Sequence, residues 1–185
     1  MSKLNDTTSE TRSLIEKARK IRLLGLDVDG VLSDGKILFS AQGDEVKAFC
    51  TLDGHGIKLL QKNDIHVAII TGRDSPLVAR RARDLGVKFL IQGREDKRIA
   101  LDSVREELGL DWELCAYMGD DLPDLSAMKA CGLGITVPNG HSFVKKHADM
   151  CTETSGGEGA VREACDFILD SKDLLADIHS QFLEK

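Results

Sequence analysis

Short apolar runs alternate along this chain with longer stretches in which apolar and polar residues are mixed. Apolar runs that are bounded by glycine or polar residues are typical of buried strands. The predicted strands span residues 23–26, 66–70, 87–91, 114–118 and 133–137, with a further strand at 149–152. Two shorter strands, 36–40 and 45–50, flank a turn that contains glycine and predict a β-hairpin.

The mixed stretches predict helices. These cover residues 9–20, 57–62, 76–85 and 95–108, a helix that ends near residue 130, and a helical region from residue 160 onward. Pro76 at the start of one helix and Gly86 after its end match the usual helix boundaries. Residues 53–56 contain two glycines and are predicted to form a loop.

The alternation of strands and helices predicts an α/β fold with a Rossmann-like, doubly wound parallel sheet. A single domain is expected over residues 1–185. Its predicted parts beside the sheet are an N-terminal helix (1–20), a β-hairpin flap (36–50) and a C-terminal helical tail (157–185).

The first strand ends in two carboxylates, Asp27 and Asp29, followed by Gly30. Alternate strand residues point the same way, so both carboxylates can reach the carboxyl end of the strand. Adjacent acids repel each other, and a divalent cation between them removes that cost. Magnesium suits such ligands at sites that also hold phosphate. An EF-hand loop is excluded because its fifth and sixth positions would be Val31 and Leu32, whereas an acidic turn stays an alternative.

Two further strands also end in polar loops. Thr71 and Arg73 follow one of them, and Asp120 and Asp121 follow another. Because ligands of open α/β sheets bind at the carboxyl ends of the strands, these residues are expected to meet the first acidic pair at one edge.

Such a cluster suits a phosphate ester as substrate. Asp27 can attack phosphorus to form an aspartyl-phosphate, and Asp29 can protonate the leaving alcohol and then activate water. Asp120 would complete a metal site with Asp27 and Asp29. Lys97 and Thr71 can stabilise the phosphoryl oxygens.

Composition and charge exclude several other classes. The formal net charge of −6 is opposite to the basic surface that nucleic-acid binders usually show. No apolar run is long enough to span a bilayer, and residues 1–10 lack the apolar core of a signal peptide, so a cytoplasmic protein is expected. The five cysteines form no Cys-x-x-Cys motif, which argues against a zinc or redox site.

Four motifs resemble those of the haloacid dehalogenase superfamily, and in the same order. They are Asp-Val-Asp-Gly-Val from residue 27, Thr-Gly-Arg from residue 71, Lys97, and Gly-Asp-Asp-x-x-Asp from residue 119. The resemblance implies a magnesium-dependent hydrolase in which Asp27 is the nucleophile. It implies that Asp29 is the acid/base and offers its backbone carbonyl to the metal.

The same resemblance implies the roles described above for Thr71, Lys97 and Asp120. Asp121 and Asp124 are expected to orient the surroundings of the metal and of Lys97 rather than to touch the metal.

Residues 21–168 are also similar to a branch of this superfamily that has no cap domain and hydrolyses sugar-acid phosphates. The implied substrate is an eight-carbon sugar-acid 8-phosphate. The implied assembly is a homotetramer in which a neighbour's hairpin and tail help to close each site. The residues expected to contact the substrate are Asp29, Asp53, Gly54, Lys58, Arg73, Arg81 and Lys97.

Three alternatives stay open. Cys50, Leu52 and Lys58 depart from the pattern of that branch, so a nine-carbon sugar-acid 9-phosphate is a second possible substrate. A receiver domain uses similar residues as a phosphate acceptor, although the second carboxylate at Asp29 favours hydrolysis. The third alternative is a non-catalytic oligomerisation module.

Overall fold

A computed structural model of the chain describes residues 2–184, with side chains described from residue 9 onward. In chain order the elements are α1 (Ser2–Lys20), β1 (Leu23–Leu26), β2 (Leu38–Phe39), β3 (Glu45–Val46), α2 (Thr51–Lys62), β4 (His66–Ile70), α3 (Pro76–Leu85), β5 (Phe89–Ile91), α4 (Lys97–Glu107), β6 (Cys115–Met118), α5 (Leu125–Ala130), β7 (Leu133–Thr136), α6 (Ser142–Lys145), β8 (Met150–Cys151), α7 (Ala160–Ser171) and α8 (Leu175–Leu183). Short 3-10 helices at Trp112–Leu114 and Leu122–Asp124 precede β6 and α5.

The main sheet has six strands in the order β5-β4-β1-β6-β7-β8, and every pairing is parallel. The chain builds outward from β1 through β4 to β5 and then returns to the other side of β1 with β6. The direction of winding therefore reverses between β1 and β6, which is where open α/β sheets place their ligands. The predicted α/β fold is confirmed.

The register of the central strands brings their ends to one level. Leu26, the last residue of β1, lies opposite Ile69 of β4 and Met118 of β6. The loops that follow these strands consequently begin side by side at the carboxyl edge of the sheet.

The two faces of the sheet form separate apolar cores, because alternate strand residues point to opposite faces. Leu24 and Leu26 pack with α1, α2, α3 and α7, whereas Leu23 packs with α4, α5 and α6. The strands are buried on both faces, which is why they appear in the sequence as nearly continuous apolar runs.

The prediction of a loop over residues 53–56 is wrong, because these residues lie inside α2. Their glycines serve close helix packing instead of a turn. A Cβ atom at Gly54 would overlap the guanidinium of Arg81 in α3, and one at Gly56 would lie 3.0–3.1 Å from Arg162 and Cys165 in α7. The cost of glycine within a helix is offset by this approach.

The predicted hairpin is present but short. Strands β2 and β3 have two residues each, with Leu38 opposite Val46 and Phe39 opposite Glu45. The apolar side chains of this hairpin are exposed, Phe39 at 65%. The short helix α6 has no counterpart among the predicted elements.

Helix α1 packs on the body of the protein through its C-terminal half. Ala18 is fully buried, and Arg19 donates to the backbone oxygen of Ser171 at the end of α7 (2.6 Å). Within the described residues, no helix combines the length and apolar character needed to cross a membrane. Residues 1 and 185, the ends of the predicted domain, lie outside that range.

Candidate active site

A buried lysine and two carboxylates form the base of the site. Asp27 directly follows β1, and Lys97 is the first residue of α4. Lys97 Nζ donates to Asp27 Oδ1 (2.6 Å) and to the backbone oxygen of Ile70 (3.0 Å), and it lies 3.4 Å from Asp124 Oδ1. Asp27, Lys97 and Asp124 are 9%, 3% and 1% exposed. The ammonium group of Lys97 therefore lies between two carboxylates that would otherwise be buried without a compensating charge.

Asp120 completes the acidic cluster from the loop after β6. One carboxylate oxygen from each of Asp27, Asp120 and Asp124 lies within 4.8 Å of the others. A Cβ atom at Gly30 would overlap the Asp120 carboxyl group, and Gly30 has φ +95°, so glycine is required there for two reasons. In the described part of the chain, Asp120 Oδ1 is buried and has no hydrogen-bond partner.

Without a metal ion, the repulsion and burial of these three carboxylates disfavour their ionised forms. Burial raises the pKa of Asp27 to about 6, with a further rise from Asp124, while Lys97 opposes the shift. Burial also raises the pKa of Asp120 to about 7, reinforced by Asp27 and Asp124. A divalent cation would reverse both shifts and occupy the free oxygen of Asp120. The cluster thus fits magnesium, which prefers carboxylate oxygens and retains water ligands.

Asp124 holds the loop that carries Asp120. Its Oδ2 accepts from the backbone N–H of Asp120 (3.1 Å) and of Asp121 (3.2 Å). Its Oδ1 accepts from the hydroxyl of Tyr117 (3.1 Å). The side chain of Asp121 is turned to the backbone N–H of Leu122 (2.8 Å) instead. Asp124 therefore fixes both Lys97 and the loop, as expected, whereas Asp121 caps the 3-10 helix.

Tyr117 is a residue of this site that the sequence reasoning missed. It is fully buried in β6, and its register partner in β1 is Gly25. A Cβ atom at position 25 would come 2.6 Å from the Tyr117 ring, so glycine leaves the space that the ring occupies. Burial and the neighbouring Asp124 raise the pKa of Tyr117 well above its usual value, which keeps the hydroxyl a donor. A glycine inside an apolar strand is the signal that could have indicated such a close approach.

Thr71 and Asp29 occupy neighbouring loops but have different surroundings. Thr71 is 2% exposed at the end of β4, and its hydroxyl oxygen accepts from the backbone N–H of Arg73 (3.3 Å). Asp29 is partly exposed, forms an ion pair with Lys47 and lies 3.9 Å from Arg73 Nε. Lys47 follows β3, so the hairpin lies over Asp29. The sequence reasoning assigned no role to Lys47.

Asn139 joins two loops next to the acidic cluster and was also missed. Its amide group donates to the backbone oxygen of Gly30 (3.0 Å) and accepts from the backbone N–H of Gly156 (2.8 Å). Gly157 donates to the backbone oxygen of Val31 (2.9 Å). The loop before α7 is thereby fastened to the loop after β1.

The predicted pocket residues of α2 and α3 are not all directed at the cluster. Asp53 is 1% exposed and accepts from the backbone N–H of Arg162 in the first turn of α7 (2.8 Å). Its other oxygen, Oδ2, is buried and lacks a partner among the described residues, and burial raises its pKa. The structure thus turns Asp53 towards α7 and away from solvent, which differs from its expected place in the substrate pocket.

Gly54, Arg81 and Lys58 form the remaining part of that predicted set. Arg81 packs over Gly54, donates to the backbone oxygen of Cys50 (3.0 Å) and lies over the ring of Phe49 at 5.7 Å. Lys58 is exposed on α2. Among the described residues, none of the contacts of these three residues reaches the Asp27 cluster.

Two basic residues of unassigned role are engaged in local ion pairs. Arg94 binds both oxygens of Asp96, at 2.6 Å each, on the surface before α4. Arg162 pairs with Asp166 one turn later in α7 (2.8 Å).

Comparison with known proteins agrees with this geometry. The family model for haloacid dehalogenase-like hydrolases matches residues 89–164. The 3-deoxy-D-manno-octulosonate 8-phosphate phosphatase of Escherichia coli K12 is 46% identical over 168 residues, which cover 91% of this chain and 89% of that protein.

Solved structures give the same result. A 3-deoxy-D-manno-octulosonate 8-phosphate phosphatase from Moraxella catarrhalis, in complex with a magnesium ion, a phosphate ion and KDO, matches with a TM-score of 0.91 and 44% identity, covering 92% of this chain and 98% of that one. The cobalt-bound phosphatase from Haemophilus influenzae matches with a TM-score of 0.86 and 39% identity, covering 91% and 99%.

Proposed function

The chain belongs to the haloacid dehalogenase-like hydrolases and, among them, to the 3-deoxy-D-manno-octulosonate 8-phosphate phosphatases; from this premise we propose that it hydrolyses the 8-phosphate of 3-deoxy-D-manno-octulosonate (KDO) and releases KDO and phosphate. It is a phosphoric monoester hydrolase that uses magnesium. The nine-carbon sugar-acid 9-phosphate is the competing substrate, since Cys50, Leu52 and Lys58 differ from the branch pattern.

One observation carries the proposal. The carboxylate of Asp27 lies 2.6 Å from the buried ammonium of Lys97 and within 4.8 Å of the Asp120 and Asp124 carboxylate oxygens. A carboxylate that is held by a cation next to a metal-binding cluster is arranged to accept a phosphoryl group. A buried lysine beside clustered carboxylates also distinguishes this site from an ordinary acidic turn.

The proposed hydrolysis has two steps. An Asp27 oxygen attacks phosphorus as the ester P–O bond breaks, and Asp29 gives its proton to the leaving alkoxide. Asp29 then takes a proton from a water molecule that attacks the aspartyl-phosphate, which releases phosphate and restores Asp27. Thr71 and Lys97 bind the phosphoryl oxygens in both steps.

The metal would be held by Asp27, Asp120 and the backbone carbonyl of Asp29. When bound, magnesium supplies positive charge that offsets the charge on the phosphate oxygens and on the acidic cluster. Asp124 positions Lys97 through their ion pair and the Asp120 loop through the hydrogen bonds described above.

The sugar would lie above Asp29, towards the basic residues of the surrounding loops. Arg73, Arg81 and Lys58 are the proposed contacts, because arginine binds carboxylates in a bidentate manner and Arg73 Nε lies 3.9 Å from Asp29 Oδ2. We propose that Asp53 and Gly54 support the substrate pocket, because Asp53 joins α2 to α7 and Gly54 allows Arg81 to pack against α2.

We further propose a homotetramer in the cytoplasm. The hairpin exposes the apolar side chains of Leu38, Phe39 and Val46, which a second copy would cover. Sedimentation velocity of the wild-type chain and of Phe39→Asp tests this proposal. A smaller species for the variant supports it, and an equal size for both contradicts it.

The function is tested by phosphate release from KDO 8-phosphate with magnesium. We expect steady release by the wild type, complete inhibition by EDTA, and a loss of at least about a thousandfold for Asp27→Asn. Asp170→Asn, at an exposed position of α7, is the matched control and should retain wild-type activity.

Two results would contradict the proposal. Faster turnover of a nine-carbon sugar-acid 9-phosphate would shift the substrate to the alternative. A phosphorylated protein that accumulates with no release of phosphate would favour a receiver-like acceptor.

A further inference from the structure

The hairpin places a carboxylate on the rim of the site. Glu45 of β3 accepts from Arg73 Nη2 at Oε1 (3.0 Å) and from the Ser75 hydroxyl at Oε2 (2.9 Å). Each oxygen of this carboxylate therefore has its own donor. The Ser75 hydroxyl and then Arg73 hold the pKa of Glu45 below its usual value, so the group is ionised at neutral pH.

The two donors belong to a part of the chain outside the hairpin. Both lie in the loop between β4 and α3, and Ser75 directly precedes that ten-residue helix. Ser75 is 2% exposed, and its backbone N–H is held by the side chain of Gln92 (3.0 Å). The start of α3 adds the positive end of a helix dipole to the charge of Arg73.

Arg73 and Ser75 lie beside the groups assigned to phosphate transfer. Thr71 precedes Ser75 by four residues, and Arg73 Nε is 3.9 Å from Asp29 Oδ2. A sugar-acid phosphate carries a phosphate at one end and a carboxylate at the other. A molecule whose phosphate reaches Asp27 would extend over Asp29 towards this rim.

We propose that Arg73 and Ser75 form the subsite for the substrate's carboxylate, and that Glu45 occupies this subsite in the substrate-free protein as an internal competitor. The inference rests on the proposed function, since it supplies the specificity of the same site for a sugar acid. Ser75 becomes a substrate-contacting residue, and Glu45 sets how much of the protein is ready to bind.

Exchange of the two carboxylates needs only a local change. Glu45 meets Arg73 and Ser75 through its side chain, so the exchange does not require the hairpin to leave the surface that a second copy would cover. Lys47 Nζ lies 3.6 Å from Glu45 Oε1 and is also paired with Asp29, so it stays in place when Glu45 is displaced. Because only the fraction of molecules with an open subsite binds ligand, the internal contact lowers the apparent affinity for the sugar acid.

The first experiment measures binding of free KDO by calorimetry in the presence of magnesium. Removing the charge of the competitor with Glu45→Gln should tighten binding by about fivefold, and Ser75→Ala should weaken it by about fivefold to tenfold. Asp44→Asn, an exposed neighbour in the same hairpin, is the matched control and should bind as the wild type does.

The second experiment compares kcat/KM for KDO 8-phosphate with kcat/KM for glucose 6-phosphate, which has no carboxylate. The ratio should rise about fivefold in Glu45→Gln and fall by a similar factor in Ser75→Ala. Weaker binding of KDO by Glu45→Gln would overturn the inference, as would a Ser75→Ala defect of equal size for both phosphates.

The two proposals fail in different ways. If the wild type releases no phosphate from KDO 8-phosphate, the proposed function fails, while binding of free KDO by the variants still decides the inference. If the wild type is active and both variants leave the binding constant and the ratio unchanged, only the inference fails.

Discussion

The floor and the rim of this site are built in opposite ways. The floor, formed by Asp27, Lys97, Tyr117, Asp120 and Asp124, is held by hydrogen bonds at the ends of parallel strands and is largely buried. The rim, formed by Asp29, Glu45, Lys47, Arg73 and Ser75, joins a short hairpin to a loop through charged side chains and one hydroxyl group. On the proposed function, the floor and Asp29 carry the chemistry common to many phosphate esters, while the other rim residues select one of them.

The two regions are also expected to differ in how much their charged side chains contribute to stability. Removing one partner from a buried group of charges leaves the other without compensation, whereas an exposed pair loses little because water replaces the partner. Substitutions in the floor should therefore affect stability and activity together. Substitutions of exposed pairs beside the rim should leave stability unchanged.

The largest effect is expected for Lys97→Met. The substitution leaves Asp27 and Asp124 buried without their cation, so the free energy of unfolding of the metal-free protein should fall by about 3–5 kcal/mol at pH 8. Urea denaturation with EDTA measures this value. Lys88→Met, at an exposed position before β5, is the control, and equal losses in both variants would contradict the distinction between buried and exposed charges.

The next effect is the pH dependence of the floor. The folded-state pKa of about 6 for Asp27 and about 7 for Asp120 lies above the unfolded value near 3.8. The metal-free protein therefore holds more protons when folded, and its stability should decrease as pH rises from about 4 to 7.

Magnesium binding should show the reverse trend, because these carboxylates must lose their protons to bind it. The affinity is expected to rise by more than about a hundredfold between pH 5 and pH 8. Calorimetry in two buffers of different ionisation enthalpy would detect the released protons. A flat profile would exclude Asp27 and Asp120 as the groups that bind the metal.

A smaller effect is expected for Tyr117→Phe. The change removes one hydrogen bond to a buried carboxylate, so the free energy of unfolding should fall by about 1–2 kcal/mol and magnesium should bind more weakly. Thermal or urea unfolding with and without magnesium measures both quantities. Unchanged values for both would show that Lys97 and the backbone N–H groups position Asp124 without the tyrosine.

No measurable effect on stability is expected for Arg94→Met. Arg94 and Asp96 are both 44% exposed, although their side chains are only 2.6 Å apart. The midpoint of urea unfolding should match that of the wild type. A clear decrease would mean that this surface pair contributes as buried charges do.

The sequence predicts the floor better than the rim, for physical reasons. β1 and β4 begin and end where the pattern predicts, because strands buried on both faces leave an uninterrupted apolar run. Asp27 and Asp120 follow from the rule that ligands bind at the carboxyl edge, and Lys97 follows from the order of the family's motifs. The register then brings these residues together.

The rest could not be obtained from the pattern because it depends on contacts distant in sequence. Glu45 and Lys47 look like ordinary surface charges of a hairpin, and only the fold brings them to Arg73 and Asp29. Tyr117 looks like one more apolar strand residue. Gly54 and Gly56 suggest a loop, and only the approach of α3 and α7 explains them inside a helix.

The fit of the Tyr117 ring over Gly25 limits how this protein can diverge. A side chain at position 25 would push the ring aside and withdraw its hydroxyl from Asp124, so that change is harmful as long as the tyrosine is present. A smaller residue at position 117 would leave a void unless position 25 grew to fill it. We therefore expect evolutionary change at these two positions to occur as a compensated pair.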